Sequence, residues 1–322
     1  MRAAVLGSDG SVTVQEVESP VPAADQLLVR VRAAGLNRAD LAARASATQK
    51  GPAIAGLELA GEVEAVGAEV SRWRPGDRVM GRGSGFAEVA LLNDADAVRV
   101  PADLSWEEAG AMPVTLLTAH DALVTNGRLR PADFVVVNAG SSGVGISAAR
   151  MAGLLGAGAV VSVTTTASKV AAIRAAVGPL PCPLVVLDVA GDEFVAAVRS
   201  QSDDGQGAHV IIDSVGASVL ADNIAAARVT GRIVQVGRLG GRHAEIDLDE
   251  LARKRLTLVG VTFRTRNRDE GAEVVRRCVE DLGDQLARCR PRIATAFPLE
   301  QILDARAAMV RNEHVGKIVV TP

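Results

Sequence analysis

The residues whose types and spacing could do chemistry centre on Gly140-Ser141-Ser142-Gly143-Val144-Gly145. A β-branched run, Val135 to Val137, leads directly into them, and small and apolar residues at helical spacing follow. In that context each residue of the turn has a physical job. Gly140 permits the tight turn, small Ser142 lets backbone approach a pyrophosphate, and Gly145 allows close packing of helix on strand. The first amides of the helix, around Ser141, Gly143 and Val144, offer N–H donors and a positive dipole end to phosphate. The alternative is a tight turn that binds nothing, and a glycine fingerprint alone does not exclude it.

The second chemical signal lies about 20 residues on, where an NAD site places an acid against the ribose 2′-hydroxyl. Here the segment runs Thr164, Thr165, Thr166, Ala167, Ser168, Lys169, with no acid. Hydroxyls and a lysine suit a 2′-phosphate, so Thr164, Ser168 and Lys169 are expected to hold the extra phosphate of NADPH. Ser168 as a helix cap and Lys169 as a solvated side chain is the other reading, and both can hold at once.

These residues need a sheet to carry them. From Phe134 onward, apolar β-rich runs recur about every 25 residues: FVVVN, AVVSV, LVVLD, HVIID, RIVQV and LTLVG. Near-continuous apolar runs suit strands buried on both faces. Helical patterns lie between them, so an α/β fold is expected, with a Rossmann doubly wound six-stranded parallel sheet. The first 118 or so residues differ. Short alternating runs such as QLLVRVRAAG and LAGEVEAVG, broken by Gly, Pro and Asp, read as an antiparallel barrel-like β domain. After Phe263 a helical stretch and a last strand, GKIVVTP, are expected to return to that first domain. The expected domains are residues 1–118 with 265–322, and 119–264.

Bulk properties limit the function. The chain has 322 residues, is 48% hydrophobic and carries a net charge of −3, which suits a globular protein and not a nucleic-acid footprint. No apolar run reaches a membrane span, and the first residues do not read as a secretory signal. Three scattered cysteines without a CxxC pair suit reduced thiols in the cytoplasm. Tyrosine is absent.

The segments AAGLNRADL (33–41), GLELAGEVEAVG (56–67), RPGDRVMG (74–81), LTAHDAL (117–123), NAGSSGVG (138–145) and HVGKIVV (314–320) together resemble the zinc-independent quinone oxidoreductases of the medium-chain dehydrogenase/reductase superfamily. The likeness is nearest to the p53-inducible quinone oxidoreductase branch, through LNRADL and the arginine pair Arg264 and Arg266. The resemblance implies a GroES-like β-barrel domain beside the Rossmann domain, an active site in the cleft between them, NADPH and a homodimer. It places Thr118, the loop Gly237 to Gly240 with Leu239, the segment Val261 to Arg264 with Phe263, and Lys317 on the cofactor side. It sets Asp188 where some relatives have a tyrosine near the 2′-phosphate, so a carboxylate there weakens NADPH preference.

Zinc dehydrogenases similar to this chain have ligands where Asn37, Leu57 and Val114 stand. These side chains do not form an N/S zinc site, so no metal is expected. Without a Lewis acid, an electron-poor acceptor is the fitting substrate, because a quinone or α,β-unsaturated carbonyl delocalises the incoming charge itself. Asn37, Arg38 and Asp40 are the polar candidates near the reacting ring, with Asn37 and Asp40 in catalytic roles. The alternative is that Asp40 caps a helix and Arg38 is solvated. The resemblance also leads one to expect a tyrosine in the loop after LNRADL, but Ala42 to Ala55 has no aromatic residue. With no tyrosine the chain is short of a general acid, which favours a quinone over an enone. Two other readings stay open: a trans-acting enoyl reductase of fatty-acid or polyketide synthesis, and an NADPH-binding protein with little turnover.

Overall fold

The computed structural model describes residues 1–46 and 51–322, so part of the loop Ala42 to Ala55 lies outside the described residues. The chain divides into two compact units: Met1–Thr115 with Gly271–Pro322, and Leu116–Glu270. The divisions fall inside helices, three and six residues from those expected, because a helix continues through each boundary.

The first unit begins with a two-stranded ribbon, β1 (Arg2–Leu6) and β2 (Val12–Glu16). Then come β3 (Gln26–Leu36), β4 (Leu59–Val66), β5 (Arg78–Gly81), β6 (Val89–Asn93) and β7 (Val98–Arg99). Strand β3 is the organiser, pairing antiparallel with both β4 and β6. Its alternating sequence QLLVRVRAAGL buries Leu27, Val29 and Val31 on one face and leaves Arg30 and Arg32 exposed on the other. Two short helices follow, α1 (Trp106–Gly110) and α2 (Pro113–His120), the first opened by a capping box between Ser105 and Glu108.

The second unit holds β8 (Phe134–Val137), β9 (Ala159–Thr164), β10 (Leu184–Asp188), β11 (Ala208–Asp213), β12 (Ala227–Gln235) and β13 (Thr257–Gly260). Their spatial order is β10-β9-β8-β11-β12-β13, all parallel, which is the Rossmann order with its switch point between β8 and β9 on one side and β11 on the other. Central β8 has every residue buried. Helices α3 (Gly143–Leu154), α4 (Val170–Val177), α5 (Gly191–Ser200), α6 (Leu220–Ala226) and α7 (Leu248–Arg253) make the crossovers. The six expected strands are all present. One departure is the start of β12: Ala227 pairs with Ala208 and Arg232 with Val210, so Arg228 to Gly231 bulge out of the ladder.

Helix α8 (Arg268–Leu282) leads back to β14 (Ile293–Pro298), α9 (Ile302–Arg311) and β15 (Lys317–Thr321). Strand β15 lies between β14 and β3, antiparallel to β3 and parallel to β14, so the sheet is mixed where a purely antiparallel one was expected. The core beneath it joins Leu27, Leu36, Leu59, Phe86, Leu92, Ile302 and Ile318. No helix among the described residues is long and apolar enough to cross a membrane.

Candidate functional site

In the first unit the polar candidates converge on one buried ion pair. Glu58 and Lys317 are both almost fully buried, with Lys317 Nζ 2.7 Å from Glu58 Oε1. Lys317 also donates to Asn37 Oδ1 at 2.7 Å, and Asn37 Nδ2 donates to Glu58 Oε1 at 2.8 Å and to the Gly35 carbonyl at 3.2 Å. The second carboxylate oxygen of Glu58 accepts the Val114 amide at 2.7 Å. Each charge is thus met by several donors or acceptors, the condition for keeping an ion pair in low dielectric. Gly35 makes the approach feasible, since a β-carbon there would overlap Glu58 Oε1 and press on Ala111.

Asn37 therefore stands half-buried at the edge of this network, with its amide group spent on orienting contacts. Its own N–H donates to Asp40 Oδ2 at 2.7 Å. Asp40 is 2% exposed, and its carboxyl is pushed up to about 7, chiefly by burial, against the opposing pull of the Asn37 amide and Lys317. The chain thus does contain an acid that titrates near neutrality, which the sequence reading had not supplied. Its burial and its bond to the Asn37 amide keep it from direct reach of solvent. Asp40 does not head a helix: it is the third residue of the short 3-10 turn Arg38–Ala42, whose N-cap is Asn37, and by accepting the Asn37 amide it supplies the reciprocal half of a capping box. Arg38 is not simply solvated, because its guanidinium donates to Asn312 Oδ1 at 2.8 Å. Lys317, expected on the cofactor side, has its ammonium committed to Glu58 and Asn37. Leu57 and Val114, the other two positions compared with zinc ligands, are partly exposed. Among the described residues no group of three or more His, Cys, Asp or Glu is arranged to hold a metal ion.

In the second unit β8 runs into the glycine turn. A β-carbon at Gly140 would overlap Ser162 Oγ of β9, and one at Gly145 would overlap the Ala139 carbonyl. Ser142 Oγ accepts the Gly145 amide at 2.9 Å, and the Ser142 carbonyl accepts that of Ile146 at 2.9 Å. The amides of Gly143 and Val144, at the first two positions of a 12-residue helix, have no hydrogen-bond partner among the described residues. Backbone amides at the positive end of a helix dipole are suited to an anion.

Next to this turn, β9 ends at buried Thr164, and a 3-10 turn presents exposed Ser168 and partly exposed Lys169. Thr164 Oγ1 accepts the Thr166 amide at 3.2 Å, and exposed Asp188 is in register with Thr164 on β10. On the other side, the loop after β12 carries Gly237 packed on the Ser214 carbonyl and Leu239 exposed. Beyond β13, Phe263 lies under the Arg266 guanidinium, 5.1 Å from the ring centre, and Arg264 is exposed. Arg266 Nη2 is 2.7 Å from the buried carboxylate of Asp121, so the two arginines of the pair have different surroundings. Thr118 lies three residues before Asp121, on α2.

Glu58, Asp213 and the Asp121–Arg266 pair are the polar groups that sequence reasoning missed. Asp213, fully buried at the end of β11, accepts the amides of Val215 and Gly216 at 2.8 and 2.9 Å, and burial raises its carboxyl above the ordinary range. One signal was legible: a lone charge inside an apolar run, as in LELAG or VIIDSV, marks a carboxylate carried into the core.

Comparison with known proteins agrees with this geometry. Residues 23–102 match the alcohol dehydrogenase GroES-like domain, and residues 143–280 match the zinc-binding dehydrogenase family. A synaptic vesicle membrane protein VAT-1 homolog of Danio rerio is 28% identical, over 94% of this chain and 65% of that protein, so the chain spans somewhat under two thirds of that relative. A quinone oxidoreductase of Lama guanicoe is 26% identical over 99% of this chain and 97% of its own. A segment of erythronolide synthase EryA2 of Saccharopolyspora erythraea is 32% identical over 95% of this chain, but that is only 8% of the synthase. Among solved structures, a mycobacterial protein complexed with NADPH superposes with a TM-score of 0.84 at 26% identity, covering 100% of both chains.

Proposed function

Because this chain belongs to the quinone oxidoreductase family of the medium-chain dehydrogenase/reductase superfamily, we propose that it is a zinc-independent reductase that uses NADPH to reduce a quinone or a related electron-poor α,β-unsaturated carbonyl. The observation that carries this reading is the replacement of a metal site by an amide network. Asn37, Leu57 and Val114 stand at the ligand positions, and Asn37 is fully engaged with Glu58 and Lys317.

The residues present fit the cofactor. The unpartnered amides of Gly143 and Val144 would receive its pyrophosphate, with Gly140 and Gly145 keeping the backbone close to β9 and Ala139. Ser168 and Lys169 would hold the 2′-phosphate, with Asp188 nearby as an opposing charge. Bound NADPH supplies the hydride. The protein's own part is to orient and to exclude water. Asn37, fixed by Glu58 and Lys317, would present a polar edge to the acceptor, while Asp40 acts only through the Asn37 amide. A reduced quinone can take its protons from water, so an acid with direct reach is not required.

A cytoplasmic homodimer accompanies this reading. In its support, none of the three cysteines is in a disulfide, and β13 ends its sheet as an open edge with Leu258 exposed. The EryA2 segment favours a second reading, an enoyl reductase of polyketide or fatty-acid synthesis acting in trans. One assay separates them. Purified protein and NADPH are offered 1,4-benzoquinone, 9,10-phenanthrenequinone, a simple 2-enal and crotonyl thioester, and cofactor oxidation is followed. Faster quinone reduction by kcat/KM is expected. Preference for the thioester would move the assignment to the enoyl reductase, and no turnover with any acceptor would leave a cofactor-binding protein.

A further inference from the structure

The second unit carries a cavity of about 440 Å³ with no part in the chemistry above. It lies at the N-terminal ends of β8, β11, β12 and β13, the edge of the sheet opposite to the glycine turn. Five arginines line it: Arg128, Arg130, Arg228, Arg232 and Arg255. Only one carboxylate, Asp133, lines it with them, and that is taken by Arg232 Nη2 at 2.8 Å. Arg228 reaches outward to Asp204 at 3.0 Å. The guanidinium groups of Arg128, Arg130 and Arg255 have no hydrogen-bond or ion-pair partner among the described residues.

Two further features mark the cavity as built. Arg128, Thr230 and Arg255 all hold positive φ, at 47°, 63° and 51°, although none is glycine and Thr230 is β-branched. Left-handed backbone at such residues is strained and persists only where surrounding structure imposes it. Here the restraint is visible. The Thr230 amide donates to the Lys254 carbonyl at 2.7 Å, and the buried Lys254 ammonium binds the carbonyls of Ile224, Ala225 and Ala227 at 2.8–3.0 Å. The bulge Arg228 to Gly231 is thereby held open as one wall of the cavity.

The second feature is a clash of donors. The Phe134 amide donates to His209 Nδ1 at 3.0 Å, so a neutral ring carries its proton on Nε2. That nitrogen is 2.6 Å from Arg228 Nη1, which is also a donor. Burial, and then the Arg228 charge, hold His209 below its ordinary value and keep the ring neutral. The nearest carboxylate oxygen, Asp133 Oδ1, is 3.9 Å from Nε2, beyond hydrogen-bond distance, so an acceptor placed against both donors would satisfy them.

We propose that this cavity is a binding site for a small, multiply charged phosphate compound of the pyrophosphate class, distinct from the cofactor site and independent of the function proposed above. Planar guanidinium groups grip phosphate oxygens in pairs, and the volume suits a small molecule and not a polymer. An oxyanion reaching His209 and Arg228 would accept from both.

The test is calorimetric titration of the full chain, saturated with NADPH so that the glycine turn is occupied, with inorganic pyrophosphate at low ionic strength and sulfate as comparison. One pyrophosphate per chain is expected, bound at least about tenfold tighter than sulfate. The double variant R128Q/R255Q should weaken pyrophosphate binding at least about tenfold and leave NADPH affinity unchanged, since both side chains are exposed and unpartnered. Lys169→Ala should leave pyrophosphate binding at this site unchanged, which separates it from the 2′-phosphate contacts. Absent saturable binding, sulfate binding equally tight, or equal binding by parent and double variant would each overturn the proposal.

Discussion

Lys317 and Glu58 are 259 residues apart in sequence and 2.7 Å apart in space, and both are withdrawn from water. Removing one partner from such a pair leaves an uncompensated buried charge, which costs about 3–5 kcal/mol. Glu58→Ala and Lys317→Ala should each lose about that much in denaturant unfolding. Glu58→Leu combined with Lys317→Met should recover most of it. A loss below about 1 kcal/mol in both single variants would show that the pair is not held as described.

Asp40 makes stability depend on pH. Its folded value of about 7 lies above the ordinary value of 3.8, so the folded state binds the extra proton between those limits. The ionised form is the disfavoured one when buried, so stability should be highest near pH 4, fall as pH rises toward 7, and level off above it. Asp40→Asn keeps an acceptor for the Asn37 amide and should flatten that slope, with a higher melting temperature than the parent at pH 8. An unchanged slope across pH 4–7 would refute the assignment. Quinone reduction by the same variant should stay within about tenfold of the parent, because it removes no required general acid.

For the cofactor, Lys169→Ala should weaken NADPH binding by about tenfold or more and leave NADH binding nearly untouched, as expected for one charge-assisted bond to phosphate. Equal losses for both cofactors would remove Lys169 from the 2′-phosphate site. Asp188→Asn should act in the opposite direction, tightening NADPH.

At the glycine turn, Gly145→Val places a side chain against the Ala139 carbonyl, where only backbone could yield. Cofactor binding should be lost in a variant that is still folded by circular dichroism. Micromolar NADPH affinity in that folded variant would contradict the close strand–helix contact.

With Asn37, Leu57 and Val114 at the positions compared with metal ligands, turnover should survive prolonged dialysis against a chelator. Zinc bound in stoichiometric amount and lost together with activity would refute the metal-free reading.

The sheet of the second unit was legible because its strands are short apolar runs at regular spacing, and because the glycine turn sits at a strand end. The exposed start of α3, with its amides at Gly143 and Val144, followed from that local context alone. The Glu58–Lys317–Asn37 network was not legible. Its members are the residue after β3, the residue before β4 and the first residue of β15, and no local periodicity records that β15 lies next to β3. Lys317 looked like a cofactor ligand because its segment is a family likeness, whereas its ammonium is used by the protein itself. Asp40 illustrates the same limit: its residue type was noticed, but only burial raises its carboxyl into the neutral range. The parallel β14–β15 pair escaped notice because it depends on the connection through α9.

Strand β15, the seat of Lys317, also bears on the order of events at the ribosome. The first unit is discontinuous, with Met1–Thr115 separated from Gly271–Pro322 by the whole of the second unit. Domains usually fold in the order in which they emerge. Here the earliest segment emerges without the strand that pairs with β3 and without the cation that neutralises Glu58. The second unit, continuous from Leu116 to Glu270, has all its strands synthesised first. The nascent N-terminal segment therefore waits, with β3 lacking one neighbour, until the last strand leaves the exit tunnel, which makes that interval the one in which a chaperone has most to shield.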